Sequence, residues 1–188
     1  MAKTQHGVDR ETKAKAIVEV ARRLFVDEGY DAIAMSRLAL MADVAPNTLY
    51  WYFADKDALL LAVLDAVLAD ALKDPARRKT SSFEARLLWL LDQLESVHKL
   101  ISTVHARANV SASVHAWHES FHRLFEAYLL EQLHEAGLNG AKAAPASKLI
   151  AYSVEGLLAH PCSRAERRTF VRFLVESLVT RASDSSCQ

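Results

Sequence analysis

Apolar residues recur at steps of three and four along this chain, the spacing of helices that bury one face. Ile17, Val20, Ala21, Leu24 and Phe25 define such a face over residues 10–28 and leave Arg22, Arg23, Asp27 and Glu28 outside, with Gly29 as the stop. Met35, Leu38, Ala39 and Ala42 give a shorter second face, and Val44 with Leu49 supplies the buried points of a third element barely two turns long. Pro46 suits the first turn of that element. Residues 55–73 form a long helix through Leu59, Leu60, Val63, Leu64, Val67, Leu68 and Leu72, stopped by Pro75. After a polar loop at 76–80, Ser81 with Glu84 reads as a capping box opening a helix that carries Phe83, Leu87, Leu88, Leu91, Leu94 and Val97. A short helix over 100–107 and a longer one over 111–135 follow, and Gly137 to Pro145 is the one clear loop. Helices at 147–159 and 163–181 complete the set, the last opened by a second capping box, Ser163 with Glu166. The expected fold is all-α, with a division at 1–54, 55–182 and a disordered tail at 183–188.

The third element is the most informative. A helix of that length is marginal alone, since isolated helices below about 12 residues are barely stable in water, so the two before it must hold it. Its outer face is then free. Asn47 and Thr48 can reach base edges from the amino end, and Tyr50, Trp51 and Tyr52 offer hydroxyls, a ring nitrogen and flat apolar surface to phosphates, sugars and thymine methyls. Asp55 suits the N-cap of the next helix, where a backbone amino end beside Lys56 makes a phosphate clamp. Residues 1–54 therefore read as a three-helix helix-turn-helix DNA-binding domain. The competing reading makes Tyr50, Trp51 and Phe53 core aromatics of an unrelated helical domain; Phe53 is expected in the core either way.

Leu24-Phe25, Gly29-Tyr30, Leu38-Ala39, Val44, Thr48-Leu49-Tyr50, Phe53, Lys56 and Leu59 form a gapless pattern. Through them residues 10–70 resemble the amino-terminal domain of the TetR family of bacterial transcriptional regulators. Position by position, the resemblance implies DNA contacts from Ser36, Arg37, Pro46, Asn47, Thr48, Tyr50, Trp51, Tyr52 and Lys56. Three positions depart from the family pattern: Ala34 and Ala45 stand where it has helix caps, and Asp43 where it has a turn glycine. A lost cap costs about 1 kcal/mol, and Asp tolerates a left-handed turn better than most residues, so the departures are survivable. An acidic residue in that turn weakens phosphate contact.

Composition adds bounds. At 188 residues and 51% hydrophobic, the chain has ample apolar surface for a small domain and a larger one, and five Gly with four Pro fit a nearly all-helical protein. Without a membrane-length apolar run or a charged-then-apolar leader, the expectation is a soluble, cytoplasmic protein with no membrane partner. Cys162 and Cys187 lack metal spacing and read as free thiols. The formal net charge is zero, which taken alone counts against a nucleic-acid partner. Lys3, Arg10, Lys13, Lys15, Arg22 and Arg23 outnumber Asp9, Glu11 and Glu19 locally, but Asp27, Glu28, Asp31 and Asp43 cancel the excess. A few well-placed contacts still give specific binding, with low non-specific affinity.

The last helix carries Phe170, Val171, Phe173, Leu174, Val175, Leu178 and Val179, too many for one stripe, because 170, 174 and 178 point away from 173. One face is expected on its own domain. The other is expected against the same helix of a second copy, with Leu149, Tyr152 and Leu157 completing a four-helix contact, and the resemblance implies the same homodimer; a single monomer core is the alternative. The resemblance also implies a small-molecule effector pocket among the linking helix and its successors. The candidates are Leu64, Leu68, Leu88, Trp89, Leu91, Trp117, His118, Phe121 and Tyr152, whose aromatic content points to an organic, hydrophobic effector.

His115, His118 and His122 share one side of the long helix, with Glu119 beside them, a spacing open to Zn²⁺ or another transition ion. The apolar stripe of Val114, Trp117, Phe121, Phe125 and Tyr128 puts only His118 at its margin and turns His115 and His122 towards solvent. A solvated histidine face is the preferred reading, ahead of a polar contact in a ligand pocket and of a metal site, so no metal ligand and no cofactor is assigned. The resemblance implies a repressor released from a near-palindromic operator in double-stranded DNA by its effector. Two competing readings are a metal-binding helical-bundle enzyme and a protein-binding dimer with a vestigial DNA reader. The enzyme reading lacks a recurrent Glu-His pair, a Gly-rich phosphate loop or a nucleophile in a recognisable setting, so no catalytic residue is assigned.

Overall fold

The computed structural model describes residues 2–72, 82–160 and 162–180. Among them are nine α-helices and no strand: α1 (Ala2–Asp27), α2 (Met35–Met41), α3 (Pro46–Tyr52), α4 (Lys56–Leu72), α5 (Phe83–Ser96), α6 (His98–Ala108), α7 (Ala112–Glu135), α8 (Ala143–Ala159) and α9 (Arg164–Val175). The all-α class and the amino-terminal helix-turn-helix stand as read from the pattern. Pro75, the 76–80 loop, Ser81, the 183–188 tail and Cys187 lie outside the described residues.

The chain forms two compact units. The first is built on α1, which packs against α2, α4 and α6, with α2 in turn holding α3. Ile17, Ala21, Leu24, Phe25, Ile33, Leu38, Leu49, Leu59, Leu60, Val63, Leu100, Val104 and Val114 share its core. The α1 face of Ile17, Ala21, Leu24 and Phe25 is buried as the three-and-four spacing requires. Gly29 ends α1 with a positive φ of 92° that a side chain would strain, while its N–H donates to the Phe25 carbonyl at 3.1 Å. α4 and α6, both beyond residue 54, pack on α1.

The second unit contains α5, most of α7, α8 and α9, with α5 against both α8 and α9. Leu87, Leu91, Phe125, Leu129, Leu133, Ile150, Ala151, Val154, Val171 and Leu174 are among its core residues. Arg167 of α9 is 5% exposed and donates to Glu95 Oε2 of α5 at 2.7 Å, and that hydrogen bond raises its already high pKa. The Ser163–Glu166 capping box forms in both directions. At α5 the cap is Ser82, whose Oγ accepts from the Ala85 N–H at 3.2 Å.

Several boundaries differ from the pattern, beginning with α1, which starts at Ala2 and not at residue 10. A 3-10 turn at Gly140–Lys142 runs straight into α8, so the expected 137–145 loop is shorter, and Pro145 sits in the first turn of a helix, where a missing N–H costs nothing. The end of the final helix, Glu176–Thr180, is wound as a π-helix.

Candidate nucleic-acid interface

The α2–α3 turn decides where the third helix points. Ala42 caps α2, the Asp43 N–H donates to Leu40 O at 3.2 Å, and the Val44 N–H donates to Ala39 O at 3.0 Å. This pair of bonds is the Schellman stop, which needs a left-handed residue, and Asp43 adopts it at φ 51°. Neither Ala34 nor Ala45 makes a side-chain cap, and α3 is anchored through Leu49, which is fully buried. The hydrophobic anchor and the α2–α3 packing replace the absent caps.

With Leu49 inward, the opposite face points out. Tyr50 is 51% and Trp51 61% exposed, and Pro46 and Asn47 are also exposed. Thr48 is partly covered at the helix start, whereas Tyr52 and Phe53 pack on the core as half-buried residues. The reading of Tyr50 and Trp51 as core aromatics is therefore excluded by their exposure. On α2, Ser36 and Arg37 are exposed.

Three cations near this face, Arg37, Lys56 and Arg10, have partners. Arg37 forms a fork on Glu28, at 2.6 and 2.8 Å. Exposed pairs of this kind contribute little net stability, so exchange of Glu28 for a phosphate is cheap. Lys56 Nζ lies 4.1 Å from the centre of the Tyr30 ring, and burial there lowers its pKa. Arg10 stacks its guanidinium 4.3 Å from the centre of the Trp51 indole. Sequence pattern placed Arg10 only in a basic amino-terminal stretch; its position against the reader follows from the packing of α1 and has no local signal.

A second feature that the pattern did not show lies at the start of α4. Asp55 caps that helix as expected, accepting from the Ala58 N–H at 2.7 Å. Asp57, in the same turn, accepts from Tyr30 Oη at 2.6 Å and from Arg107 Nε and Nη2 of α6 at 3.0 and 2.6 Å. Burial alone would raise the Asp57 pKa, but hydrogen bonds from Arg107, Tyr30 and Ser111 prevail and hold it down to about 2. Burial, then the bond to Asp57, pushes the Tyr30 phenol upward. The start of α4, immediately after the reader, is thereby clamped to α6.

The other assigned residues separate. Of the effector candidates, Leu64 and Trp117 join the first core, Trp117 donating its indole N–H to Asp65 at 2.8 Å, while Leu88, Leu91 and Phe121 join the second. Leu68, Trp89 and His118 are half-buried, and Tyr152 is 59% exposed, which suits a surface contact better than an apolar pocket. On α9 the grouping is corrected: Val171 and Leu174 face the core, Leu178 packs beside them, and Phe170 and Phe173 form the exposed row together. Residues 170 and 173 are three apart and share a face, so Leu174 and Leu178 leave the surface set, and Leu157 is half-buried on its own core. Leu149, Tyr152, Phe170 and Phe173 remain as exposed apolar side chains.

An all-helical chain whose helix-turn-helix presents a polar and aromatic helix outward has the form of a DNA-binding regulator. Residues 17–63 match the model of the bacterial regulatory proteins of the tetR family. A helix-turn-helix transcriptional regulator encoded in the 5′ region of dhlA in Xanthobacter autotrophicus is 24% identical over 81% of both chains. The solved structure of BioQ with its double-stranded DNA operator is 26% identical, with a TM-score of 0.62 over 89% of this chain and 98% of that one. A transcriptional regulator from Saccharomonospora viridis, solved with choline, shares the fold at 16% identity, with a TM-score of 0.73 over 88% and 96%. Over residues 17–63 the chain is therefore similar to the DNA-binding domain of tetR-family regulators, and its fold along most of its length is that of solved transcriptional regulators. Among the described residues no helix is long and apolar enough to cross a membrane.

Proposed function

We propose that this regulator is a non-enzymatic, cytoplasmic repressor that binds a near-palindromic operator as a homodimer and leaves it when a small hydrophobic effector binds within residues 55–182. The observation that carries the DNA reading is the outward projection of Tyr50 and Trp51 from a helix pinned by Leu49. In this reading Asn47 and Thr48 meet base edges, Pro46, Tyr50, Trp51 and Tyr52 meet sugars, phosphates and thymine methyls, and Ser36, Arg37 and Lys56 hold the backbone. BioQ, 26% identical, is solved on an operator, which supports the same partner here.

The exposed apolar set of Leu149, Tyr152, Phe170 and Phe173 supports a second copy as the cover of that face. A two-fold dimer presents two readers to major grooves about 34–36 Å apart, which a single reader cannot exploit. The effector acts by differential affinity for two states; coupling of about 1–3 kcal/mol weakens operator binding by 5- to 150-fold. The regulator from S. viridis was solved with choline, which supports a small-molecule ligand in this fold.

Mobility shift on the promoter beside the protein's own gene tests the reader. Thr48→Ala and Tyr50→Ala should each weaken binding by about 1–3 kcal/mol while leaving the helical spectrum intact; unchanged affinity removes the assigned roles. Light scattering tests the dimer: Phe173→Glu should shift the particle to 20.9 kDa, and a wild-type chain already at that mass overturns the dimer.

A further inference from the structure

The core-facing stripe of α1 continues towards the amino end beyond the core itself. Ala21 and Ile17 are buried and Ala14 is half-buried, and the same three-and-four spacing carried one turn further reaches Arg10. At that level the neighbour of α1 is the outer face of α3. The Arg10 guanidinium lies 4.3 Å from the centre of the Trp51 indole, and both residues are exposed. Both belong to the first compact unit.

The indole is held in turn by its neighbour. Tyr52, half-buried against the core of the first unit, meets Trp51 edge to face, with ring centres 4.9 Å apart and planes at 88°. Core, Tyr52, Trp51 and Arg10 thus form a continuous stack that ends in a cation. The attraction between a guanidinium and a ring face closes no hydrogen bond, so the N–H donors of Arg10 remain for an acceptor. Among the described residues no carboxylate pairs with Arg10, whereas Arg37 is forked on Glu28. A phosphate that reaches Arg10 has no ion-pair partner to displace.

We propose that Arg10, steered by the Trp51 indole, is a DNA phosphate contact at the rim of the reading helix. The proposal rests on the operator reading and deepens it: a residue of α1, outside the helix-turn-helix pair, joins the interface, and Trp51 serves to aim a cation as well as to offer apolar surface. A planar guanidinium can meet two phosphate oxygens with parallel N–H···O bonds while its face stays on the ring, which a lysine ammonium cannot do. In a chain of zero formal net charge, general basicity supplies little affinity, so one cation held in place at the reader counts for more.

The test is fluorescence anisotropy of the full chain on a labelled duplex from the promoter beside its own gene, repeated between about 50 and 200 mM salt. Arg10→Gln should weaken binding about tenfold and flatten the log–log salt slope by about 0.9 per reader, as expected for one lost phosphate contact. Arg10→Lys should keep the slope and still bind more weakly than wild type. In a Trp51→Ala background, Arg10→Gln should cost well under tenfold, because the cation is no longer aimed. Lys15→Gln removes the same charge from the same helix, where Lys15 pairs with Glu11, and should leave affinity and slope unchanged. Equal affinity and slope for wild type and Arg10→Gln, in a series where Thr48→Ala and Tyr50→Ala do weaken binding, overturns the Arg10 contact and leaves the operator reading standing. An equal loss in Lys15→Gln overturns it as mere charge, and a full tenfold loss in the Trp51→Ala background overturns the steering by the indole. A wild-type chain that prefers the promoter no more than an unrelated duplex removes the operator reading, and this contact with it.

Discussion

α3 and α9 are both short, both begin with a chain in extended geometry, and they are stabilised in opposite ways. α9 opens on a complete capping box, in which Ser163 and Glu166 satisfy each other's backbone groups. α3 opens on Ala45 with no side-chain cap, and Leu49 is its only fully buried residue. One helix carries its stability locally; the other borrows it from α1 and α2. The difference has a functional sense, because a helix held from behind by one anchor keeps its remaining side chains for a partner. Such a helix is also vulnerable at that anchor.

The largest effect should therefore come from Leu49→Ala. Removing a fully buried leucine costs about 2–5 kcal/mol, and α3 has no cap to fall back on. Denaturant unfolding followed by circular dichroism should register that loss together with the disappearance of operator binding. A cost below about 1 kcal/mol would mean that α3 is held by something other than its anchor.

The next effect concerns the clamp behind the reader, and it depends on pH. Asp57 has a folded-state pKa near 2, below its ordinary 3.8, so its contribution is complete above the higher value and is lost as pH falls through the lower one. After allowance for solvent screening, the difference is worth about 1–2 kcal/mol. Asp57→Asn should lower stability by that amount at neutral pH, and the gap between variant and wild type should close towards pH 2. A gap that stays constant across this window would show that the carboxylate charge is not what Arg107 and Tyr30 read.

What the pattern of residues made legible follows the same contrast. Helices with a wide apolar stripe, such as α1 and α4, were readable because burial acts on every third or fourth side chain. The α9 cap was readable because its two residues are three apart in sequence, and the turn before α3 was readable as an Asp in place of Gly. Contacts between distant positions were not. Arg107 lies 50 residues from Asp57, and neither carries a local mark of the other. Arg10 over Trp51 and His105 beside His118 have the same character, since only packing decides which exposed side chain of one helix faces another. The face assignment on α9 failed for a smaller reason. Apolar residues at 170, 171, 173 and 174 leave two possible stripes, and the core chose Val171 with Leu174.

The smallest effect is the sharpest test of the contrast, because it can be made in both directions. Ser163→Ala removes an acceptor that the Glu166 N–H uses at 3.2 Å, and should cost about 1 kcal/mol. Ala45 already has the extended backbone of a cap, at φ −65° and ψ 147°, so Ala45→Ser has only to offer its hydroxyl to the first turn of α3. That substitution should raise stability by about 0.5–1 kcal/mol, read as a higher denaturation midpoint with unchanged slope. The gain is confined to the folded reader and leaves the outer face of Tyr50 and Trp51 untouched, so operator affinity should hold or rise slightly through a better-ordered helix. A loss of stability in Ala45→Ser would mean that the amino end of α3 is already satisfied by its neighbours, and the opposition between a borrowed helix and a self-sufficient one would no longer describe this protein.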